Sequence, residues 1–398
     1  MSNSDLVYQQ NTMSANWMNN KFLETVLGSE VETFEVKPLG DSNDFFTSSL
    51  HRVTVNLKSG RSEHLIVKKL IDREGDGRLF AESSMFSRET YMYSVVLPKL
   101  QEMLNKAFPG CEPIAAKYVC SSTGVLVLED LSASGFKVLD RMAGVDLHNS
   151  LLVMRCLARF HAASVILYEQ EPELFEPFMD TVFNEEPIQK LQGPFFKGMS
   201  TLLAEEVENW PGFGERYAKK FREMSGEMIK LVVEGARRHE ERFNVLTHDD
   251  IWTSNLMFRP PDSIRLIDFQ MPHYASPGND LQMFLTMSVA DDVRHNHFDT
   301  LMKEYHTTLC DTLTALSYQH KLLTLEELYE EYKKSALYGF VINAIFLPGV
   351  LACPDADIRM FVTDGAAPSH SIFEGSRART TMAEILKEYE KQGAFSLT

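Results

Sequence analysis

The sequence lacks the features of several large classes of protein. It has no run rich in lysine and arginine, and its formal net charge of −17 would repel a phosphate backbone, so we expect no nucleic-acid partner. It has no G-x-x-x-x-G-K-[ST] motif, so a Walker-type nucleotide site is not supported. What it does have is ordinary globular composition over 398 residues, 44% hydrophobic and 24% charged, which is enough for two lobes or domains.

Targeting signals, cysteine pairs and uninterrupted apolar runs are also scarce. The first residues lack a basic start followed by an apolar core, so we expect no secretory signal. The five cysteines are odd in number and form no C-x-x-C pair, which fits a reducing compartment, and from the absence of targeting signals we expect a cytoplasmic protein. The longest apolar stretch, residues 337–353, is interrupted by glycine, asparagine and proline, so we interpret it as a buried helix and expect no membrane partner. The oligomeric state stays open.

The polar residues that can carry chemistry concentrate in residues 246–280. Asp250 lies five residues before Asn255, and Asp268 ends a strand-like apolar run. H-x-D-x-x-x-x-N followed by D-F-x, here HDDIWTSN and DFQ, is the order that kinases use. Transfer of a phosphoryl group from ATP needs a carboxylate near the attacking hydroxyl and oxygen ligands for Mg²⁺. Each part alone occurs by chance or as a turn residue, but the Pro-Pro-Asp turn between two apolar runs favours a kinase-type site.

The first third of the chain alternates between apolar and polar residues. This period of two predicts strands at residues 31–36, 50–57 and 63–70, which together form an antiparallel meander. Lys68 ends the apolar run of the third strand, where a lysine could reach the α- and β-phosphates of a nucleotide. Lys69 would then point to the opposite face, so one of the two lysines should be solvated.

The loop between the first two strands is where a kinase would cover the phosphates. It contains a single glycine, Gly40, so backbone amides and small polar side chains such as Ser42 and Asn43 would have to bind the anion. An ordinary hairpin explains this loop equally well.

A helix follows, with residues 86–97 predicted to end at Pro98. Glu89 lies on its inward, apolar stripe, where a lone carboxylate would cost several kcal/mol. Lys68 is the natural cationic partner; the alternative is a solvated surface glutamate. A second hairpin, residues 119–120 and 124–128, then leads into Glu129, Asp130 and Leu131, whose backbone groups would face an adenine ring.

From residue 140 onward the pattern becomes helical, and residues 151–164 have an amphipathic pattern. We therefore place a domain boundary near residue 131, with residues 1–130 as a nucleotide-binding part and residues 131–398 as a catalytic and acceptor-binding part.

Taken together, HDDIWTSN, IDFQ, FSRETYMYSVVLP, LVLEDL and RFHAAS resemble the ecdysteroid kinase-like family, a relative of choline kinases and aminoglycoside phosphotransferases in the protein-kinase-like superfamily. The resemblance implies an α+β, two-lobed kinase-like fold, with a small antiparallel sheet in the N-terminal lobe and a mainly helical C-terminal lobe. It also implies that ATP and Mg²⁺ are used.

The resemblance implies a role for each site residue. Asp250 would be the catalytic base, Asn255 and Asp268 the Mg²⁺ ligands, and Lys68 the ligand of the α- and β-phosphates, held by Glu89. The remaining nucleotide contacts would be the phosphate loop and the hinge: Gly40, Ser42, Asn43, Glu129, Asp130 and Leu131. Asp280 resembles the buried carboxylate that braces the catalytic loop.

Two positions depart from the superfamily pattern. Asp249 stands where many relatives have glycine, and Gln270 replaces the glycine of D-F-G. Without that glycine, and without an A-P-E motif after Asp268, a protein kinase with a mobile activation segment is not expected.

The expected activity is ATP-dependent phosphorylation of a hydroxyl on a small molecule, with an ecdysteroid, a similarly apolar polyol or a foreign compound as acceptor. Two alternatives remain open at this stage. A kinase for choline, ethanolamine or an amino-sugar would need acidic or aromatic groups around a cationic acceptor. A catalytically inactive kinase-like protein would bind a ligand only, although the joint presence of the five motif residues argues against it.

Overall fold

The computed structural model describes residues 17–39, 48–70, 76–352, 369–373 and 377–395. In these residues a small antiparallel sheet precedes a larger and mainly helical part, which confirms the expected α+β, two-lobed architecture. The boundary placed near residue 131 stays a prediction. The last strand of the sheet ends at Glu129.

The N-terminal sheet has five strands, and each neighbouring pair is antiparallel. Its members, with the helix that precedes them, are α1 (Asn20–Leu27), β1 (Val31–Pro38), β2 (Ser48–Leu57), β3 (Ser62–Leu70), β4 (Tyr118–Ser122) and β5 (Val125–Glu129). Their order is β1-β2-β3-β5-β4, so the predicted meander and the second hairpin are confirmed. The alternation buries one face of the sheet, whose valines and leucines pack with Leu23 of α1 in a separate apolar core.

Among the described residues, three α-helices lie between β3 and β4, namely α2 (Asp76–Glu82), α3 (Met85–Tyr91) and α4 (Leu97–Ala107). A π-helical turn, Met92–Val96, joins α3 to α4, and within it the Leu97 N–H donates to the Met92 carbonyl. The prediction that the helix ends at Pro98 is therefore wrong. Pro98 lies in the first turn of α4, and the missing N–H of a proline is tolerated in a first turn.

The C-terminal part contains nine α-helices among the described residues. They are α5 (Leu147–Gln170), α6 (Glu186–Glu208), α7 (Lys219–Met224), α8 (Met228–Gly235), α9 (Gly278–Met287), α10 (Asp291–Ala315), α11 (Leu325–Lys334), α12 (Ala336–Val350) and α13 (Ala378–Lys391). Its short strands are β6 (Lys137–Val138), β7 (Val245–Leu246), β8 (Leu256–Arg259), β9 (Ser263–Leu266) and β10 (Tyr274–Ala275). β8 and β9 form the predicted hairpin, and β10 pairs with β7 on either side of the catalytic segment.

Helix α5 is the centre of this lobe. It packs against α10, α4, β7 and β9, so only a narrow stripe that includes Arg155 and Arg159 is partly exposed. The expected amphipathic pattern is thus reduced to a stripe, because neighbours cover the helix on most sides. By length and composition α5 alone among the described helices could cross a membrane, but 83% of its apolar window is buried inside the protein. α12 is also buried, which confirms the interpretation of that apolar stretch.

Candidate active site

Lys68, Glu89 and Asp268 meet where the sheet faces the helical lobe. The Lys68 Nζ lies 2.7 Å from the Glu89 Oε2 and 2.7 Å from the Asp268 Oδ1. The predicted ion pair between Lys68 and Glu89 is present, and the alternative of a solvated Glu89 is wrong, since this side chain is 2% exposed. Lys69 points to the other face of β3, as predicted, with its Nζ 4.8 Å from the centre of the Trp17 ring.

Burial and charge oppose each other in this cluster. Burial by itself would lower the pKa of Lys68, but the carboxylates of Asp268 and Glu89 raise it above its ordinary value, so the ammonium stays charged. Burial raises the pKa of Glu89 to about 7, because the nearby Asp268 adds to the effect of burial and Lys68 only partly offsets both. One cation is therefore shared by two carboxylates.

Asp250 and Asn255 lie in the catalytic loop, close to this cluster. The Asn255 Nδ2 donates to the Asp250 Oδ2 at 2.7 Å and to the Asp250 carbonyl at 2.9 Å. The Ile267 N–H donates to the Asn255 carbonyl at 3.1 Å, which ties this loop to the segment that carries Asp268. Burial, followed by repulsion from Asp268, raises the pKa of Asp250 to about 8.

Asp280 holds the backbone of the catalytic loop, as the resemblance implies. Its Oδ2 accepts from the His248 N–H at 2.7 Å and its Oδ1 from the Asp249 N–H at 2.8 Å. The His161 Nε2 lies 3.0 Å from the same Oδ2, and the His161 Nδ1 lies 2.7 Å from the Tyr305 hydroxyl. Burial alone would raise the pKa of Asp280, but these hydrogen bonds and the neighbouring histidines hold it below its ordinary value.

The side-chain contacts of Asp249 compensate for a backbone conformation at this position that favours glycine. Its φ of 61° is in the left-handed region that favours glycine. Its buried carboxylate accepts a hydrogen bond from the Tyr338 hydroxyl and lies 3.1 Å from the His273 Nδ1. These contacts connect the loop to α12 and to the start of β10, and they offset the backbone strain.

Gln270, the second departing residue, also has a local use. Its side-chain amide donates to the Asp268 Oδ1, the oxygen that also contacts Lys68. Asp268 itself has a φ of 67°, so a side chain within reach helps to hold it in this conformation. Burial opposes the ionisation of Asp268, but Lys68 and Gln270 together lower its pKa.

The predicted hinge offers backbone groups and not side chains. The Glu129 Oε1 accepts from the Lys117 N–H at 2.8 Å, and the Asp130 Oδ2 lies 2.6 Å from the Arg52 Nε. The backbone amides of Glu129 and Asp130 are likewise bonded within the protein. In the described parts of the chain the structure shows no partner for the Leu131 N–H, and the predicted contact of the hinge with an adenine ring stays a prediction.

The rest of the predicted nucleotide site lies outside the described residues. Gly40, Ser42 and Asn43 all fall in the undescribed stretch 40–47. Their proposed contact with phosphates therefore stays a prediction.

The residues predicted to bind a metal fit Mg²⁺ by their chemistry. The side-chain nitrogen of Asn255 donates to Asp250, which leaves the side-chain oxygen of Asn255, Oδ1, as the ligand atom. The Asp268 side chain is 32% exposed. One or two such oxygens, with phosphates and water, are the usual donors for Mg²⁺. No group of three or more His, Cys, Asp or Glu residues with metal-binding geometry occurs within the described ranges, so a site made wholly of such side chains is not found there.

His161, His273 and Tyr338 are the site residues that sequence reasoning missed. All three are buried: His161 contacts Asp280, while His273 and Tyr338 contact Asp249, and Tyr338 is 89 residues from Asp249 in the chain. His161 lies within RFHAAS, one of the motifs that carry the resemblance, so a signal existed for it. No local pattern marks His273 or Tyr338.

Solved structures that the chain resembles include three small-molecule kinases. An ethanolamine kinase from Plasmodium vivax is 17% identical, with 90% of this chain and 83% of that chain covered and a TM-score of 0.45. Spectinomycin phosphotransferase in complex with ADP and spectinomycin is 9% identical, with coverage of 94% and 97% and a TM-score of 0.42. A choline kinase from Streptococcus pneumoniae is 13% identical, with coverage of 92% and 97% and a TM-score of 0.39.

Comparison with curated proteins gives no match. The model of the ecdysteroid kinase-like family, by contrast, matches residues 42–318. This range includes Lys68, Glu89, Asp250, Asn255 and Asp268. The chain therefore belongs to the ecdysteroid kinase-like family and is a small-molecule kinase, an ATP-dependent phosphotransferase that acts on a hydroxyl group.

Proposed function

We propose that this kinase uses ATP with Mg²⁺ to phosphorylate a hydroxyl of an ecdysteroid, a similarly apolar polyol or a foreign compound of that kind. The observation that carries the chemical part is the convergence of Lys68 and Glu89 with Asp250, Asn255 and Asp268 of the C-terminal part. Membership of the family supports the choice of acceptor class.

The half-buried carboxylate of Asp250 is the acceptor for the substrate proton. As the hydroxyl oxygen bonds to the γ-phosphorus, the bond from that phosphorus to the oxygen of ADP breaks and the hydroxyl proton passes to Asp250. Asn255 orients Asp250 through its two hydrogen bonds. When bound at Asn255 and Asp268, Mg²⁺ would supply positive charge against the triphosphate and lower the pKa of Asp250.

Lys68 provides the second positive charge. Its ammonium is fixed between two carboxylates, so it is already oriented before a nucleotide arrives and would meet the α- and β-phosphates with little reorganisation. Fixed positive charge in a largely buried site stabilises a transferring phosphoryl group more than the same charge does in water.

The test is ATP consumption against a panel of ecdysteroids, other sterols, plant and drug-like polyols, choline, ethanolamine and amino-sugars. Mass spectrometry should detect one added phosphate on the accepted compound. With Asp250→Ala the rate should fall by roughly 10³-fold, the scale of a lost general base. Asp262→Ala is the matched control, because this aspartate is 66% exposed in the turn between β8 and β9.

The outcomes separate the alternatives. A phosphorylated sterol or apolar polyol supports the proposal, whereas phosphorylation of choline, ethanolamine or an amino-sugar alone would overturn the acceptor class. Activity of Asp250→Ala within a few-fold of the unmodified protein would overturn the role of Asp250.

A further inference from the structure

Arg88 lies beside Glu89 in α3 and faces the other way. Its side chain is 7% exposed, and its Nη1 donates to the carbonyls of Asp180 at 2.9 Å and Pro272 at 3.1 Å. Its Nη2 lies 3.2 Å from the Glu185 Oε1. Consecutive residues of α3 thus contact opposite sides: Glu89 holds the lysine of the sheet, and Arg88 holds three separate points of the C-terminal lobe.

Glu185 strengthens this connection at the start of α3. Its Oε2 accepts from the Ser84 N–H at 2.8 Å, and its Oε1 accepts from the Ser84 hydroxyl. The Arg88 Nε donates to the same hydroxyl at 2.6 Å. Glu185 also immediately precedes α6, so this carboxylate connects the first turn of α3 to the first turn of a helix in the C-terminal lobe.

Apolar packing also joins α3 to the helical lobe. Side chains of α3, the π-helical turn and α4 belong to the large core of the helical lobe, which also includes Leu126 and Leu128 of β5, whereas the outer face of the sheet has its own core with α1. The members of the first group are Met85, Phe86, Met92, Tyr93, Val96, Leu97, Leu100 and Leu104. α3 therefore packs between the inner face of the sheet and the helical lobe, although its residues lie between strands of the N-terminal sheet in the sequence.

A planar guanidinium suits this site better than an ammonium. Arg88 directs its N–H groups at two carbonyls, one carboxylate and one hydroxyl, and the fork of an arginine can serve several such acceptors in fixed directions. Pro272 lies four residues after Asp268 in the chain, so the same guanidinium also holds the segment that leads away from the predicted metal ligand.

We propose that Arg88 is a positioning residue: it fixes α3 to the C-terminal lobe so that Glu89 holds Lys68 in line with the nucleotide phosphates. The inference rests on the proposed use of Lys68 at those phosphates. The Lys68–Glu89 pair then becomes the contact at which the sheet is aligned with the catalytic loop. Loss of Arg88 acts through Glu89 and not by a direct contact with the nucleotide.

The test uses binding, so it does not depend on knowing the acceptor. Calorimetry would measure the affinity of the full chain for ATP with Mg²⁺ and, separately, for adenosine, which has the base but no phosphates. We expect Arg88→Met and Glu89→Gln each to weaken ATP binding by about tenfold, the size of one charge-assisted hydrogen bond. Adenosine binding should stay within twofold, because the hinge is untouched.

The double variant is the decisive comparison. If Arg88 acts through Glu89, Arg88→Met with Glu89→Gln binds ATP no more than twofold weaker than Glu89→Gln alone. If the two losses multiply, or if adenosine binding falls as much as ATP binding, the positioning role is overturned. Arg78→Met is the matched control, because Arg78 on α2 is 75% exposed and its ion-pair partner among the described residues is Glu82, four residues on.

Milder variants provide a second test in case Arg88→Met does not fold. If circular dichroism shows that Arg88→Met is unfolded, Arg88→Lys and Glu185→Gln keep most of the packing and should weaken ATP binding about threefold without affecting adenosine. Unchanged ATP binding in both would overturn the proposal. Absence of ATP binding in the unmodified protein would instead overturn the proposed function itself, so the two failures are distinct.

Discussion

Lys68 on β3 and Asp250 in the catalytic loop lie in the same site, but these two parts of the molecule are stabilised in different ways. β3 is held by ladder hydrogen bonds and by a small apolar core with α1, and the Lys68 ammonium is held by side chains from outside the sheet. The catalytic loop is instead held by buried polar groups, above all Asp280 with its two amide donors. The sheet side therefore depends mainly on backbone pairing and apolar packing, whereas the catalytic loop depends on buried polar contacts.

The largest predicted effect concerns Asp280, which holds the backbone of the catalytic loop. Asp280→Ala removes the acceptor for two backbone N–H groups and His161, all of them buried, so we expect unfolding free energy to fall by about 3–5 kcal/mol. Urea unfolding would measure it. Asp299→Ala is the control, because Asp299 is exposed and bonds to one tyrosine. A loss no larger than in this control would remove the proposed difference between the two sides.

The next prediction concerns Asp249. Asp249→Gly should relieve the strain of the left-handed backbone, yet we expect a net loss of about 1–3 kcal/mol, because His273 and Tyr338 lose a buried acceptor. Ser317→Gly is the matched control, since Ser317 has a φ of 65° but an exposed side chain, and it should be neutral or slightly stabilising. Equal behaviour in urea unfolding would show that the side chain of Asp249 contributes nothing.

A smaller effect is expected for the ion pair next to the hinge. Arg52 on β2 lies 2.6 Å from Asp130; the Arg52 side chain is 36% exposed, so water partly screens the pair, and the buried Asp130 carboxylate keeps a hydrogen bond from the Ser132 N–H when the guanidinium is removed. We expect Arg52→Met to lower the unfolding free energy by no more than about 1 kcal/mol. The same unfolding assay measures it. A loss comparable to that of Asp280→Ala would show that the sheet side depends on polar bracing as strongly as the catalytic loop does.

The smallest effect tests which lysine of β3 has the chemical role. Lys69→Met removes a contact with the Trp17 ring, so we expect a change of about 0.5 kcal/mol in unfolding free energy and ATP binding within twofold of the unmodified protein. Lys68→Met should lower the affinity for ATP with Mg²⁺ at least tenfold. Calorimetry on both variants would show the contrast, and similar losses in both would contradict the assignment of Lys68.

Local patterns predicted much of this structure because their causes are local. The period of two in β1, β2 and β3 follows from the pleat of a strand, and the hairpin of β8 and β9 follows from its turn residues. The helix expected to end at Pro98 shows the limit of such reasoning. Proline can stop a helix or start its first turn, and the π-helical turn that decides between the two is not visible in the residue pattern.

The sequence by itself determined the class of reaction and the order of the chemical groups, since Lys68, Glu89, Asp250, Asn255 and Asp268 stand in a recognisable series. Only the tertiary structure decided what holds them. Lys68 contacts a carboxylate 200 residues away, and Asp249 depends on a tyrosine 89 residues away. The opposite orientations of Arg88 and Glu89 likewise follow from the position of α3 between the lobes. Such contacts join elements that are distant in the chain, and the spacing of residues along a sequence does not show which of those elements meet in the folded protein.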